Sequence, residues 1–318
     1  MPAARDISLI VSVARLYYDR GFSQSQVASE LNLSRSNVSR ILSQAKERGI
    51  VEIIIHDPSG PPQRVATLEQ GLRAEYGLRD VHVVSATPSS AAEVTARQGA
   101  AVLSDRLPGV SRVGVSWGQA VQSVIDHLDQ QELHPVPELL PLVGGLSALD
   151  QLASGESVLR ALASKLGSRP LTLYAPAVLE SAETVRSLRT ESSIASVLEA
   201  AATVELALVG IGSAGVHSSV HIMERMKLSA AEQRLVEEQR PVGDICARMV
   251  DADGRPVGPP ADERVLAVTF DELRAIPEVI GVVFGVEKAP GVSGVLRSGV
   301  LDTVVLDEHL ARRLLPSS

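Results

Sequence analysis

The chain has 318 residues, 45% hydrophobic and 21% charged, enough for one sizeable core and a small second domain, which excludes a disordered or low-complexity chain. Its formal net charge of −8 excludes binding to nucleic acid through the field of the whole molecule. Residues 1–57 hold 7 Lys and Arg against 6 Asp and Glu, so the front of the chain is the less acidic part and any basic surface there must be local. The single cysteine, Cys246, excludes an intramolecular disulfide and a cysteine-rich zinc site, and its apolar surroundings predict a buried thiol.

Residues 1–20 carry Arg5, Asp6, Arg15, Asp19 and Arg20 among their apolar positions. That pattern suits neither a signal peptide nor a membrane span, and a cytoplasmic protein is expected. From Asp6 onward, Ile7, Ile10, Val11, Ala14 and Tyr17 fall on one face of an amphipathic helix that Gly21 ends. Ser23 and Gln26 have the spacing of a capping box, which opens a second short helix facing inward through Val27, Ala28 and Leu31. Asn32 and Leu33 make a turn, Ser34 caps a third helix, and Val38, Ile41, Leu42 and Ala45 form its buried stripe.

The opposite face of that third helix carries Ser36, Ser39, Arg40 and Ser43, with Arg35 and Asn37 near its start. A merely solvated face is usually rich in Glu and Lys; short Ser and Asn with two Arg are base-reading chemistry on a recognition helix. Lys46 and Arg48 lie where a phosphate contact is expected. After Gly49 the β-branched run Ile50–Ile55 predicts a strand or wing, and the segment through Pro62 a linker. The expected domains are therefore a helix-turn-helix DNA-binding domain over 1–57, a linker over 58–62 and an α/β domain over 63–318.

In the larger part, a linking helix around Arg64–Tyr76 precedes apolar runs that alternate with helical stretches. Strands are expected at Val81–Ser85, Arg112–Val115, Leu139–Val143, Leu171–Tyr174, Val204–Val209, Val265–Val268, Val279–Val283 and Thr303–Leu306. Such alternation implies a largely parallel sheet covered on both faces, with ligands bound beyond the carboxyl ends of the strands. Reading those ends gives Ser116-Trp117-Gly118-Gln119, Gly144-Gly145, Gly210-Ile211-Gly212-Ser213 and Phe284–Lys288. Glycine turns let backbone N–H groups approach an anion, although any α/β protein needs some of them; Lys288 is the candidate cation. None of the turns spells a dinucleotide fingerprint or a P-loop, so no NAD, ATP or other cofactor is expected.

Other suggestive residues have plainer readings. Asp251-Ala252-Asp253-Gly254 reads as a hairpin turn rather than a calcium loop, because Gly254 falls too early. His217 and His221 are four apart without a useful carboxylate, so no metal is expected. Arg186, Arg189, Arg225, Lys227, Arg312 and Arg313 read as solvated helix faces.

Nearly end to end the chain resembles the SorC-type (SorC/DeoR) family of sugar-responsive bacterial regulators. In the head the resemblance rests on Ala14–Tyr18, Gln24, Gln26-Val27-Ala28 and above all the run from Leu33 to Leu42. In the body it rests on Gly114–Gly118, Ala175-Pro176-Ala177, Val209–Gly212, Val242-Gly243-Asp244-Ile245, Ile276–Val282 and Lys288. The resemblance implies a Rossmann-like effector domain related in fold to sugar-phosphate isomerases and deaminases. It also implies a homodimer or homotetramer whose affinity for double-stranded operator DNA responds to a phosphosugar, and Gln24 as one more DNA contact. Where family members place hydroxyl residues after the Ser-Trp-Gly turn to hold phosphate, this chain has Gln119 and Ala120. Where one branch forms a Schiff base before the paired glycines, it has Val143. The effector is thus a sugar phosphate, a sugar or a polyol, with Asp244 and Gln119 for hydroxyls and Lys288 for an anion. The alternative is a sugar-phosphate isomerase or deaminase with an appended helical domain, for which Glu287 and Asp244 are the only strand-end candidates as general base.

Overall fold

Apolar stripes on three short helices build the head. The computed structural model describes residues 7–51, 60–146, 155–216 and 218–316, and the chain divides into two units, Met1–Pro58 and Ser59–Ser318. In the first unit, α1 (Ile7–Ala14), α2 (Gln24–Glu30) and α3 (Arg35–Glu47) bury Ile10, Val13, Ala14, Val27, Ala28, Val38, Ile41, Leu42 and Ala45 together. The stripe of α1 differs from expectation: Ile7 is 62% exposed, and Val13 rather than Val11 completes the inward face. Arg15–Asp19 then form a π-helical turn, a wider winding that changes the phase of the side chains after Ala14.

The caps follow the sequence. Ser23 accepts from the Gln26 N–H while the Gln26 side chain accepts from the Ser23 N–H, and Ser34 accepts from the Asn37 N–H at 3.2 Å. Asn32, with φ +53°, makes the turn between α2 and α3. Ile50 and Val51 pack on the head's core, and the rest of the expected wing lies outside the described residues, as does the first part of the expected linker.

The second unit runs α4 (Ala66–Tyr76), β1 (Asp80–Val84), α5 (Ala91–Arg106), β2 (Arg112–Val115), α6 (Gln119–His127), β3 (Glu138–Pro141), α7 (Gly155–Leu166), α8 (Ala182–Thr190), α9 (Ser192–Ala201), β4 (Leu206–Gly210) and β5 (Gly212–Ser213). It continues through α10 (Ser218–Met226), α11 (Ala230–Glu238), β6 (Gly243–Ile245), β7 (Arg248–Val250), α12 (Phe270–Ala275), β8 (Glu278–Val283), a 3₁₀ turn at Val286–Lys288, α13 (Ala289–Arg297), β9 (Thr303–Asp307) and α14 (Glu308–Leu314). Six strands form a parallel sheet in the order β1-β9-β8-β4-β2-β3. Successive strand residues face opposite sides, and both sides are buried, which is why the strands read as continuous apolar runs. On one side Ala207, Val209, Val279 and Val304 meet Leu72 of α4, Val292 of α13 and Leu310 of α14; on the other Leu206, Leu208, Ile280 and Val305 meet Leu103 of α5, Val124 of α6 and Leu162 of α7. The result is a Rossmann-like α/β domain.

Two expected strands are absent. Leu171–Tyr174 forms no ladder: only its predecessor Pro170 bridges, to Leu139, and Pro170 and Pro176 lack the N–H groups that a strand needs. Val265–Val268 makes only single bridges, from Val265 and Ala267, because its last carbonyls are taken by guanidinium groups. Buried Arg248 donates to Val268 O at 2.6 Å and to Ala267 O at 3.2 Å, and Arg189 also donates to Ala267 O. Arg189 is accordingly half-buried rather than a solvated helix residue, and burial depresses its pKa. One element escaped the sequence altogether, the antiparallel sheet β5-β6-β7, whose strands of two or three residues are too short to show a period. Asp251 closes the hairpin turn after β7, its Oδ1 accepting from the N–H groups of Asp253 and Arg255 at 2.9 and 2.8 Å.

Candidate functional site

The polar face of α3 lies opposite its buried stripe. Arg35, Ser36, Ser39, Arg40, Ser43 and Lys46 are exposed, and Asn37 and Gln24 are half-buried. Three of the serines are partly committed to the helix itself: Ser34 is the cap and shares a hydrogen bond with Ser36 at 3.1 Å, and Ser43 Oγ donates to Ser39 O at 3.2 Å. Part of their hydrogen-bonding capacity therefore serves local structure, and the two arginines are the long, multi-donor side chains of the helix's first half. Exposed Glu47 continues the line of Ser36, Arg40 and Ser43 at the far end of the helix. An acidic residue there disfavours phosphate and so bounds the usable length of the face.

In the second unit a cleft opens where the sheet changes direction. The chain leaves β2 toward edge strand β3 and leaves β4 the other way toward β8, so the ends of β2 and β4 flank the topological switch point. Ser116 follows β2, and its hydroxyl accepts from the Gly210 N–H at the end of β4 at 3.1 Å, tying the two lips together. Trp117 is buried and donates Nε1–H to Gly144 O at 2.9 Å, which fixes the ring as a wall. Gly118 has φ +128°, open only to glycine, and turns the chain so that α6 begins at the cleft without a side-chain cap. The first N–H groups of α6, at Gln119 and Ala120, are thus orphan donors at the positive end of a helix dipole.

The opposite wall comes from the small sheet. Asp244 on β6 is buried and accepts from Ser219 Oγ at 2.5 Å. Burial pushes its carboxyl up to about 6, against the pull of the Ser219 hydrogen bond and the Lys288 charge. Gly212 leaves the space this pair occupies: a Cβ there would stand 2.0 Å from Asp244 Oδ1 and 2.4 Å from Ser219 Oγ. Lys288, half-buried at the 3₁₀ turn after β8, lies with Nζ 5.0 Å from the Phe284 ring centre. Burial lowers its pKa, with Glu287 and Asp244 opposing. Cys246 and Ala247 form the two-residue turn between β6 and β7 with φ of +50° and +63°, a turn usually given to Asn and Gly. Both line the cleft, and burial pushes the Cys246 thiol up to about 12, so it is a neutral wall group at physiological pH.

The structure thus brings together Ser116, Trp117, Gly118, Gln119, Gly212, Asp244 and Lys288 around one cleft of about 60 Å³. Gly144 and Gly145 do not line it; their backbones pair with Ala175–Ala177 and Leu266, and Gly144 acts at one remove as the acceptor for Trp117. Gly210 and Ile211 of the expected strand-end turn also line it, and so do Ala120, Cys246 and Ala247, to which the sequence assigns no such role. Exposed His221 pairs with Glu224 at 3.1 Å, and His217 lies outside the described residues.

A helix-turn-helix head joined to a Rossmann-like domain with a polar cleft at its switch point defines a ligand-responsive transcriptional regulator. Residues 61–316 match the family model described as "Putative sugar-binding domain", and residues 12–48 match that of sigma-70, region 4. The sorbitol operon regulator of Klebsiella pneumoniae is 30% identical over 99% of this chain and 100% of its own length, and the deoxyribonucleoside regulator of Bacillus subtilis 28% identical over 96% and 97%. The crystal structure of full-length SorC from Klebsiella pneumoniae superposes with a TM-score of 0.72 at 27% identity, covering 98% of this chain and 100% of that one. A DeoR family transcriptional regulator from Listeria monocytogenes gives 0.70 at 27% identity, covering 79% and 99%. The chain belongs to the SorC-type family of sugar-binding transcriptional regulators.

Proposed function

We propose that this protein regulates genes of carbohydrate metabolism by binding operator DNA through α3 and a small carbohydrate through the cleft. In this reading Arg35, Asn37, Ser39 and Arg40 face the bases of the major groove, with Ser36 and Ser43 beside them. Ser34, Gln24 and Lys46 hold the backbone phosphates. The cleft takes a sugar, a polyol or its phosphate. Asp244 and Gln119 meet hydroxyls, Trp117 covers the apolar face of the ligand, and Lys288 with the orphan N–H groups of α6 meets any phosphate. The observation that carries the reading is the convergence of Asp244, Lys288, Trp117 and the uncapped start of α6 on one cleft, in a chain that also carries a recognition helix.

The same cleft argues against an enzyme. Among the described residues its ionisable lining groups are Asp244, Lys288 and Cys246, with no histidine and no second carboxylate to form the acid–base pair usual in isomerisation or deamination. Cys246 is protonated, and Ser219 competes for Asp244. As a regulator it acts in the cytoplasm as a homodimer or homotetramer, presenting two or more heads to a symmetric operator; among the described residues no helix is long and apolar enough to cross a membrane.

A thermal-shift screen of the purified protein against sugars, polyols and their phosphates tests the effector half, because a ligand of the native state alone raises the melting temperature. At least one compound is expected to do so in the wild type and not in Gly212→Ala, whose added methyl displaces Asp244. Turnover of any of them would overturn the regulator-only reading.

A further inference from the structure

Next to the cleft, on the other side of Asp244, a second cavity of about 280 Å³ is walled largely by apolar side chains that include Ile222 and Met223 of α10 and Met249 of β7. The two spaces meet at Asp244, which lines both, and there Ser219 Oγ donates to Asp244 Oδ1 at 2.5 Å. The cleft, at about 60 Å³, falls well short of the few hundred Å³ usual for a small-molecule site, and joining the two spaces reaches it.

Helix α10 is held unevenly. At its end, Met226 O accepts from buried Arg264 at 2.5 Å, and the next residue, Lys227, pairs with Glu180. Near its start, Ser219 reaches across to Asp244. Left-handed residues flank the helix, Gly215 at φ +76° and Lys227 at φ +44°, so its ends are set by turns rather than by continuing structure.

An ionised carboxylate only accepts, so one hydroxyl donor can replace another on Asp244 with little change in free energy, whereas a group without a donor cannot. We infer that the Ser219–Asp244 hydrogen bond is a latch on the effector site: a ligand hydroxyl takes over Asp244, releases the first turn of α10, and joins the cleft to the apolar cavity beside it. This rests on the cleft being the effector site. It assigns the ligand class as a polyhydroxylated compound with a free hydroxyl for Asp244 and a C–H face for Ile222, Met223 and Met249.

Hydrogen exchange on the full-length protein tests the latch without a ligand. In Ser219→Ala the amides of residues 219–223 exchange about tenfold faster, as loss of a hydrogen bond to a charged acceptor implies, while those of α11 keep their rate. Ser219→Cys, of similar shape but a weak donor, moves in the same direction. Unchanged exchange in both variants overturns the latch. Binding of sorbitol, ribose, deoxyribose and their phosphates adds the second readout: a compound that binds the wild type binds Ser219→Ala about tenfold more tightly, because a competitor is gone, and Asp244→Ala not at all. If Ser219→Ala weakens it as much as Asp244→Ala does, Ser219 is a direct ligand contact and the latch is wrong. If no compound binds the wild type, the carbohydrate reading of the cleft fails, and the exchange rates still decide the latch.

Discussion

Asp244→Asn should make the protein more heat-stable near neutral pH while weakening its hold on the effector. The folded carboxyl titrates at about 6 against an ordinary 3.8, because burial strands its charge. The folded state therefore holds the proton more tightly than the unfolded chain, so the stabilisation is complete below about pH 3.8 and is lost as the pH rises through about 6. At about 1.36 kcal/mol per pH unit, that interval amounts to about 3 kcal/mol missing from the wild type above neutrality. Asparagine keeps an acceptor for Ser219 and carries no charge, so it escapes most of this cost. At about 2 °C per kcal/mol for a unit of this size, the variant should melt up to about 6 °C higher at about pH 7.5, the gap narrowing toward pH 5. Differential scanning fluorimetry of both proteins over that range is the assay. A variant that melts lower at about pH 7.5, or a gap that does not vary with pH, would mean that partners stabilise the carboxylate and that the argument from burial is wrong.

Three further outcomes follow from the geometry. Arg40→Ala should cost about 1–3 kcal/mol in operator affinity by fluorescence anisotropy, with effector binding by calorimetry unchanged. Lys46→Ala should instead weaken all DNA sequences alike and reduce the slope of log affinity against log salt by about 0.9. Trp117→Phe removes the donor to Gly144 O and leaves a buried carbonyl unpaired, so urea unfolding should show a loss of about 1–3 kcal/mol.

Much of this molecule is legible in its sequence because its elements obey local rules. The capping box at Ser23 and Gln26, the cap at Ser34 and the stripe Val38–Ala45 each rest on residues within one helix. The parallel strands announce themselves as apolar runs because both faces of the sheet are covered. The cleft is legible only in part. Ser116–Gln119 and Gly212 lie at or just beyond strand ends, where topology alone directs attention. Asp244 sits inside a three-residue strand with no periodic signal, so only the family resemblance points to it. Ser219, Cys246 and Ala247 depend on how a short hairpin and α10 fold over the sheet, which no local pattern encodes. Gly144 and Gly145 misled for the opposite reason: a glycine pair after a strand marks close backbone approach, here to Ala175–Ala177 rather than to a ligand.

The measurement that bears most directly on the central claim is the affinity of the full-length protein for its own promoter DNA, by fluorescence anisotropy, with and without the compound that stabilises it in the thermal-shift screen. Coupling of head to cleft predicts a change of about fivefold or more, lost in Gly212→Ala, which still binds DNA. An unchanged affinity at saturating compound would contradict the account of this protein as a carbohydrate-controlled regulator.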